Sequence, residues 1–200
     1  MDTIRAFIAI DLPPEIQASL QQVVLRLKKN IPSGVRWVQA NHIHITLKFL
    51  GETPLSVIKR IILILPKISS KFHTFPISVG GLGAFPNPKR PRVIWIGINA
   101  PHMLMDIQKM VDIETVNLGC PGENRAFSPH LTLGRVQRYA SQPELMDISN
   151  TLSSNRIGEL GSFNAQGITL FQSILKSTGP EYVKQTKARF QNDSPSDMLE

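Results

Sequence analysis

The chain has 200 residues, 42% of them hydrophobic and 18% charged, a composition typical of a globular protein and not of a disordered one. The formal charge of +7 at pH 7 favours an anionic partner, such as nucleic acid or a small phosphorylated ligand. The single cysteine, Cys120, excludes an intrachain disulfide framework and a cysteine-rich zinc site. The longest apolar run, residues 61–65, is far shorter than the roughly 18 residues that a membrane span needs. No signal peptide is evident, so we expect a soluble cytoplasmic protein.

In the first half of the chain, strands are predicted where apolar residues alternate with polar ones or form short runs. These strands cover residues 5–10, 35–38, 43–50, 75–84 and 93–98. Pro13 and Pro14 open a helix that ends near Asn30, because apolar residues recur there at steps of three and four. Those residues are Ile16, Leu20, Val23, Val24 and Leu27. Gly51 is expected to end the third strand, and a second helix is predicted from residue 54 to about 65, where Pro66 stops it.

The second half begins after Pro101 with a predicted helix whose apolar residues also follow helical spacing. Those residues are Met103, Leu104, Ile107, Met110 and Val111. Further strands are predicted at residues 128–136, 163–171 and 182–189, and a helix is expected to begin near Ser141. The tail, residues 191–200, is polar and expected to fray.

The two halves have nearly the same order and spacing of predicted elements, counted from residue 44 and from residue 130. A duplicated unit of strand, helix, strand and strand explains this agreement with one assumption. We therefore predict an α+β fold with two pseudo-symmetric lobes, each an antiparallel β-sheet with helices packed outside. Residues 1–190 would form one domain, with a central cleft between the lobes.

Two short stretches repeat the pattern His, apolar, Thr, apolar: one begins at His44 and the other at His130. Residues two apart on a strand share a face and lie about 7 Å apart, so each histidine should point the same way as Thr46 or Thr132. Histidine ordinarily titrates near neutral pH, so one imidazole of a pair can be neutral while the other is protonated. A base on one side and an acid on the other is the arrangement needed for in-line displacement at phosphorus.

Arg135 follows the second motif and is a candidate for neutralising a phosphate, since a guanidinium binds phosphate oxygens in a fork. On an ideal strand, however, Arg135 would face away from His130 and Thr132. Gly134 suggests a solution, because glycine often marks a bulge that redirects the next side chain.

At these residues the chain resembles the two-histidine (2H) phosphoesterase superfamily, and within it the RNA 2′,3′-cyclic phosphodiesterases, historically called 2′-5′ RNA ligases. The resemblance extends over nearly the whole chain and goes beyond the two motifs. The other stretches that carry it are RAFIAI at 5–10, VRWV at 35–38, GAFP at 83–86, RVIW at 92–95, LFQS at 170–173 and GPEY at 179–182.

The resemblance implies hydrolysis of a 2′,3′-cyclic phosphate at an RNA 3′ end to a 2′-phosphate, with no metal and no nucleotide cofactor. His44 corresponds to the proton donor to the leaving 3′ oxygen, and His130 to the base that activates water. Thr46, Thr132 and Arg135 correspond to the phosphate contacts. The reverse reaction would join RNA ends through a 2′-5′ linkage. RNA 3′ ends are thus the expected partner, and we expect a monomer with no obligate protein partner.

Three alternatives remain at this point. The enzyme could act on a small cyclic phosphate, such as a cyclic phosphate of ADP-ribose, or the chain could be a non-catalytic module that binds RNA ends. His42 and His44, two apart, could also be a metal pair of a metal-dependent phosphodiesterase. His42 is more consistent with the rim of a site, and His73 and His102 with surface positions.

Four other features were considered as functional candidates. The basic loop at residues 86–92 is expected to be a solvated hairpin, with contact to RNA phosphates as the alternative. Trp37 and Phe49 could stack on a terminal base, but both are expected to pack in the core. Cys120 lies in a Gly-Cys-Pro-Gly stretch and is expected to be a solvated thiol without catalytic function.

Overall fold

The computed structural model describes residues 2–177 and 179–192, which form nine strands and four helices. The strands are β1 Thr3–Ile10, β2 Val35–Trp37, β3 Ile45–Pro54, β4 Phe75–Phe85, β5 Val93–Asn99, β6 His130–Val136, β7 Glu159–Ala165, β8 Gly167–Lys176 and β9 Gly179–Arg189. The helices are α1 Pro14–Asn30, α2 Leu55–Ser69, α3 Met103–Val116 and α4 Gln142–Ser154. A 3-10 turn, Ala40–His42, precedes β3. Of the predicted polar tail, residues 193–200 lie outside the described residues.

The strands form two antiparallel sheets. Sheet A has the order β3-β1-β8-β9, and sheet B has the order β2-β6-β5-β4-β7. Helices α2 and α3 pack against sheet A, and helices α1 and α4 pack on the sheet B side. Each sheet thus has helices on one face and leaves its other face to a cleft, so the prediction of an α+β fold with two lobes is confirmed.

The two lobes exchange elements along the chain. We call each sheet with its helices lobe A or lobe B. In chain order, β1, α1, β3, α2 and β4 belong to lobes A, B, A, A and B. The elements β5, α3, β6, α4 and β8 follow the same order with the lobes exchanged, B, A, B, B and A. The two strands that carry the predicted motifs, β3 and β6, therefore occupy equivalent places in opposite sheets. They also contact each other, so the motifs face one another across the cleft.

The core lies between each sheet and its helices. The five apolar residues that predicted α1 are all buried, and isoleucine and leucine side chains on alternate positions of the strands are fully buried against the helices. Burial of such a side chain contributes about 1.5–3 kcal/mol relative to exposure, and this stabilises the orientation of each strand. The opposite side chains of the same strands are thereby fixed in the cleft.

One predicted strand, residues 163–171, is wrong: the chain there forms two strands in different sheets. β7 pairs with β4 in sheet B, and β8 pairs with β1 in sheet A. The change occurs between Ala165 and Gly167, where β9 lies so close that a Cβ on Gly167 would be 2.2 Å from the carbonyl oxygen of Ala188. Apolar residues continue across this point, so their pattern gives no sign of the change.

Two predicted ends of elements are also wrong. Gly51 does not end β3 but lies within it, at a φ of 70°, beside a bulge in the pairing with β1. Pro66 does not stop α2, which continues to Ser69. A proline in the last turn removes one backbone hydrogen bond, and the carbonyl of Pro66 still accepts from the backbone N–H of Ser70 at 2.9 Å.

Candidate active site

The two motif histidines make the same local hydrogen bond. His44 lies immediately before β3 and His130 is the first residue of β6, and both are half-buried. Nδ1 of His44 is 2.8 Å from the carbonyl oxygen of His42, and Nδ1 of His130 is 2.7 Å from that of Ser128. A carbonyl oxygen only accepts, so Nδ1 carries the hydrogen in both rings. Nε2 of each ring is left to accept or donate a proton in the cleft.

His44 lies on an aromatic floor formed by sheet A. Its ring stacks on Phe7, with 4.6 Å between centroids and 22° between planes, and Phe171 stacks on Phe7 at 5.0 Å. The ring of Tyr182 meets that of His44 edge-on at 5.5 Å. This floor holds the imidazole in place and excludes water from one of its faces.

The surroundings of His44 favour the neutral ring. Burial lowers the pKa of His44 from 6.5 to about 4, although the hydrogen bond to the carbonyl of His42 and the charge of Asp11 act in the opposite direction. In the empty cleft at pH 7, His44 is therefore uncharged.

His130 has a smaller aromatic neighbourhood in sheet B. The ring of Phe85 meets it edge-on, with 4.9 Å between centroids, and Trp95 lies 5.2 Å beyond Phe85. Burial lowers the pKa of His130 below 6.5, the hydrogen bond to Ser128 raises it, and the charge of Arg135 lowers it further. Both motif histidines are thus neutral at pH 7 before any anion binds.

The two threonines lie on the same faces as their histidines. Thr46 is the cross-strand partner of Ala9 on the cleft face of sheet A, and Thr132 is that of Trp95 in sheet B. Among the described residues, neither hydroxyl makes a side-chain hydrogen bond. Both are therefore available to donate to a ligand in the cleft.

A bulge in β6 turns Arg135 toward the cleft, as the prediction from Gly134 required. Thr132 pairs with Trp95, but Gly134 pairs with the adjacent residue Ile94, so Leu133 is an extra residue in β6. Arg135 consequently pairs with Val93, which shares a face with Trp95. His130, Thr132 and Arg135 therefore line one face of sheet B.

Glycine is required at position 134 by close packing. A Cβ there would lie 2.8 Å from Cγ1 of Val35 and 3.1 Å from Cε3 of Trp37, both on the neighbouring strand β2. Gly134 thus allows β2 and β6 to pair where the bulge redirects Arg135.

Charges on sheet B reach across the cleft to sheet A. Burial raises the pKa of Tyr182, and the charges of Arg135, Arg5 and Arg36 lower it. Tyr182 and Arg5 belong to sheet A, whereas Arg36 and Arg135 belong to sheet B. The ring of Tyr182 also touches that of His44, so the five predicted site residues line the two walls of one cleft.

The sequence matches a family model described as LigT like phosphoesterase twice, over residues 10–95 and 96–182. The chain belongs to this family. The LigT-like chain is 37% identical over 178 residues to an RNA 2′,3′-cyclic phosphodiesterase of Archaeoglobus fulgidus, covering 89% of this chain and 96% of the relative. It is 32% identical over 179 residues to the protein of the same name in Methanothermobacter thermautotrophicus, covering 90% and 95%.

Solved structures support the same family assignment. The LigT-like chain superposes on Escherichia coli LigT complexed with 3′-AMP with a TM-score of 0.74 at 25% identity, covering 95% of this chain and 99% of the other. The resemblance read from the motifs and their flanks is therefore confirmed.

Several side chains of the LigT-like cleft were not predicted from the sequence. Phe7 and Phe171 form the floor beneath His44, Phe85 contacts His130, and Arg36 lies beside Arg135. β1 is apolar on both faces, so its alternation does not identify which face lines the cleft. Arg36 was part of the stretch VRWV, and its alternation with Val35 and Trp37 is the one signal that could have identified it.

Asp11 is a further unpredicted residue beside the floor. Its carboxylate accepts from Oγ1 of Thr169 at 3.0 Å and from Nζ of Lys184 at 3.1 Å, and Nζ of Lys187 lies 3.6 Å away. Its negative charge favours a protonated His44. Asp11 therefore partly offsets the effect of burial on that ring.

The prediction that Phe49 packs in the core is wrong, because β3 contains two bulges. Leu47 is an extra residue in the pairing with β1, so Leu47 and Lys48 are both buried on the helix side, where Nζ of Lys48 lies 2.5 Å from Oδ1 of Asp112. Phe49 then pairs with Phe7 and is 60% exposed at the cleft. The assumption that side chains alternate strictly between the two faces of a strand does not reveal such a bulge.

The remaining candidates lie outside the cleft floor. Cys120 is buried, so the prediction of a solvated thiol is wrong, and burial raises the pKa of this thiol. Trp37 packs against the core as expected. Residues 86–92 connect β4 to β5, and all of them except Pro91 are exposed. His73 and His102 are exposed, as predicted.

Residues 2–177 and 179–192 contain no group of three or more His, Cys, Asp and Glu side chains placed to hold a metal ion. No helix within the same ranges has the length and apolar character that crossing a membrane requires.

Proposed function

We propose that this chain hydrolyses the 2′,3′-cyclic phosphate at an RNA 3′ end to a 2′-phosphomonoester by two-histidine acid–base catalysis. The matched pair of His44 and His130 carries the proposal, because each ring uses Nδ1 for a backbone carbonyl and leaves Nε2 to the cleft. The names of the relatives and the nucleotide bound to Escherichia coli LigT support this substrate class.

The reaction needs one base and one acid on opposite sides of phosphorus. Nε2 of His130 removes a proton from water, and the water oxygen forms a bond to phosphorus. The bond from phosphorus to the 3′ oxygen breaks, and Nε2 of His44 gives that oxygen its proton. The phosphate stays on the 2′ oxygen. General acid–base catalysis of this kind contributes about 10²–10⁴-fold for each group.

The substrate supplies the charge that the mechanism needs. Both histidines are neutral in the empty cleft at pH 7, but an anionic phosphate between them raises the pKa of each. His44 can then take up a proton, with additional help from Asp11. The hydroxyls of Thr46 and Thr132 and the guanidinium of Arg135 bind the non-bridging oxygens.

The same site can use another nucleophile. If the 5′-hydroxyl of a second RNA replaces water, His130 removes its proton and the 3′ oxygen again leaves. The product is then a 2′-5′ phosphodiester, formed without a nucleotide cofactor. Cleavage of this linkage by the 3′ oxygen is the reverse reaction.

The test is hydrolysis of an RNA oligonucleotide ending in a 2′,3′-cyclic phosphate, with a metal chelator present. We expect full turnover and a 2′-phosphate product, identified by its mobility against 2′- and 3′-phosphate standards. A 3′-phosphate would contradict the proposed leaving group. Activity only with an added divalent metal would contradict the two-histidine mechanism and favour the His42 and His44 pair. Turnover confined to a small cyclic phosphate of ADP-ribose would contradict the RNA substrate.

A further inference from the structure

Two arginines are neighbours on adjacent strands of sheet B. Arg36 of β2 and Arg135 of β6 are direct cross-strand partners, so their Cβ atoms are about 5 Å apart on the cleft face. Among the described residues, neither side chain forms an ion pair. Like charges placed directly opposite destabilise a sheet, so this pair is costly unless an anion lies beside it.

The opposite wall adds a third arginine and a hydroxyl. Arg5 of β1 shares the cleft face with Phe7, and the charges of Arg5, Arg36 and Arg135 all act on Tyr182. Arg5 has Glu52 as its cross-strand partner in β3, whereas Arg36 has only Arg135. Of the three arginines, Arg36 and Arg135 therefore have no acidic cross-strand partner.

The basic residues of sheet B lie at different distances from His130. His130 and Arg135 pair with residues 97 and 93 of β5, so their Cα atoms are separated by about 13 Å along the strand. Arg135 can extend back toward a phosphate at His130, but Arg36 lies on the next strand, farther from the reacting position. The basic surface thus extends beyond the site of reaction.

We propose that Arg36, with Tyr182 and Arg5, forms a second phosphate site that binds the phosphodiester preceding the terminal nucleotide. The proposal rests on the proposed function, since it defines the substrate as a polynucleotide end rather than a single nucleotide. The guanidinium of Arg36 binds the non-bridging oxygens of this phosphodiester, and the Tyr182 hydroxyl donates to them. The reacting phosphate remains with His44, His130 and Arg135.

Binding of product-like ligands tests this site without requiring turnover. Dissociation constants are measured by calorimetry for a nucleoside 2′-monophosphate and for a dinucleotide ending in the same 2′-monophosphate. A second dinucleotide carries an uncharged methylphosphonate at its internal linkage and keeps both bases. The variants are Arg36→Gln and, as a control with the same loss of charge, Arg60→Gln on the exposed surface of α2.

We expect Arg36→Gln to weaken binding of the charged dinucleotide about 10-fold and to change binding of the mononucleotide less than about 2-fold. Arg36→Gln should not weaken binding of the methylphosphonate dinucleotide, because its internal linkage has no negative charge for Arg36 to bind. For the charged dinucleotide, the slope of log affinity against log salt concentration should be shallower by about 0.7 in Arg36→Gln than in the wild-type protein. Arg60→Gln should leave all three affinities unchanged.

An equal loss for mononucleotide and dinucleotide would overturn the proposal, since Arg36 would then bind the reacting phosphate. No loss for any ligand would also overturn it. The proposed function is tested separately by turnover of wild-type protein on a mononucleoside 2′,3′-cyclic phosphate. That substrate has no preceding phosphodiester, so it reports on the two histidines alone.

Discussion

The imidazole of His44 lies almost parallel to the phenyl ring of Phe7 on the neighbouring strand, with 4.6 Å between their centroids. Phe7 also stacks on Phe171, whose ring centroid lies 6.0 Å from that of His44, and only 3% of Phe7 is exposed. Burial is the largest cause of the lowered pKa of His44, so the aromatic floor keeps this ring neutral until an anion arrives.

Replacement of Phe7 by leucine should raise the pKa of His44 from about 4 toward 6.5, because water then reaches the ring. An NMR pH titration of the imidazole carbon-bound protons measures this directly. The free energy of unfolding should fall by only about 1 kcal/mol, since leucine remains apolar. Phe190→Leu, in the aromatic cluster with Phe72 and Phe75, is the control and should leave the His44 titration unchanged. An unaltered pKa in Phe7→Leu would contradict this explanation.

The pH dependence of kcat/KM should be displaced to the acid side of neutrality. In the proposed mechanism the reactive free enzyme has a protonated His44, with a pKa of about 4, and a neutral His130, with a pKa below 6.5. The population of this protonation form is greatest at a pH between the two pKa values, and it falls at higher pH because His44 loses its proton. The optimum of kcat should lie at higher pH, because bound phosphate raises both pKa values. A kcat/KM plateau that continues to pH 8 would refute this expectation.

The roles of acid and base can be separated with a substrate in which sulfur replaces the bridging 3′ oxygen. A thiolate leaves without a proton, so it does not need the acid. His44→Ala should lose about 10²–10⁴-fold in turnover of the ordinary cyclic phosphate and recover most of it with the sulfur substrate. His130→Ala should lose a similar factor with both substrates. If the sulfur substrate restored turnover to His130→Ala and not to His44→Ala, His130 would be the acid and His44 the base. Circular dichroism checks that both variants remain folded.

Gly134→Ala should reduce both stability and activity. The added Cβ would meet Val35 at 2.8 Å and Trp37 at 3.1 Å, so β2 must move away from β6. We expect a loss of about 1–3 kcal/mol in the free energy of unfolding and a raised KM as Arg135 is displaced. Urea denaturation and steady-state kinetics measure the two effects. Gly158→Ala, where nothing lies within 4 Å of the new Cβ, should change neither.

Much of the fold follows from local pattern. The five apolar positions of α1 and the alternation around His44 and His130 correctly predict a helix and two strands that each bury one face. These features depend on residues close together in the chain, so the sequence expresses them directly. The motif side chains consequently lie in the cleft as expected.

The differences arise where pairing with a distant strand decides the outcome. The bulge at Leu47 reverses the faces of Lys48 and Phe49, and the change of sheet after Ala165 divides one apolar stretch into two strands. Both depend on pairing with strands that are distant in the sequence, β1 for β3 and β8, and β4 for β7. Arg36 likewise becomes significant only when β2 pairs with β6.

The exchange of elements between the lobes has a consequence for how the protein must fold. Residues up to about 95 contain His44, but on their own they leave β1 without β8 and α1 without β7 and α4. Neither half of the chain is a lobe, so neither can bury its apolar surface alone. We therefore expect His44 and His130 to reach their places in the cleft only when both halves of the chain have folded together.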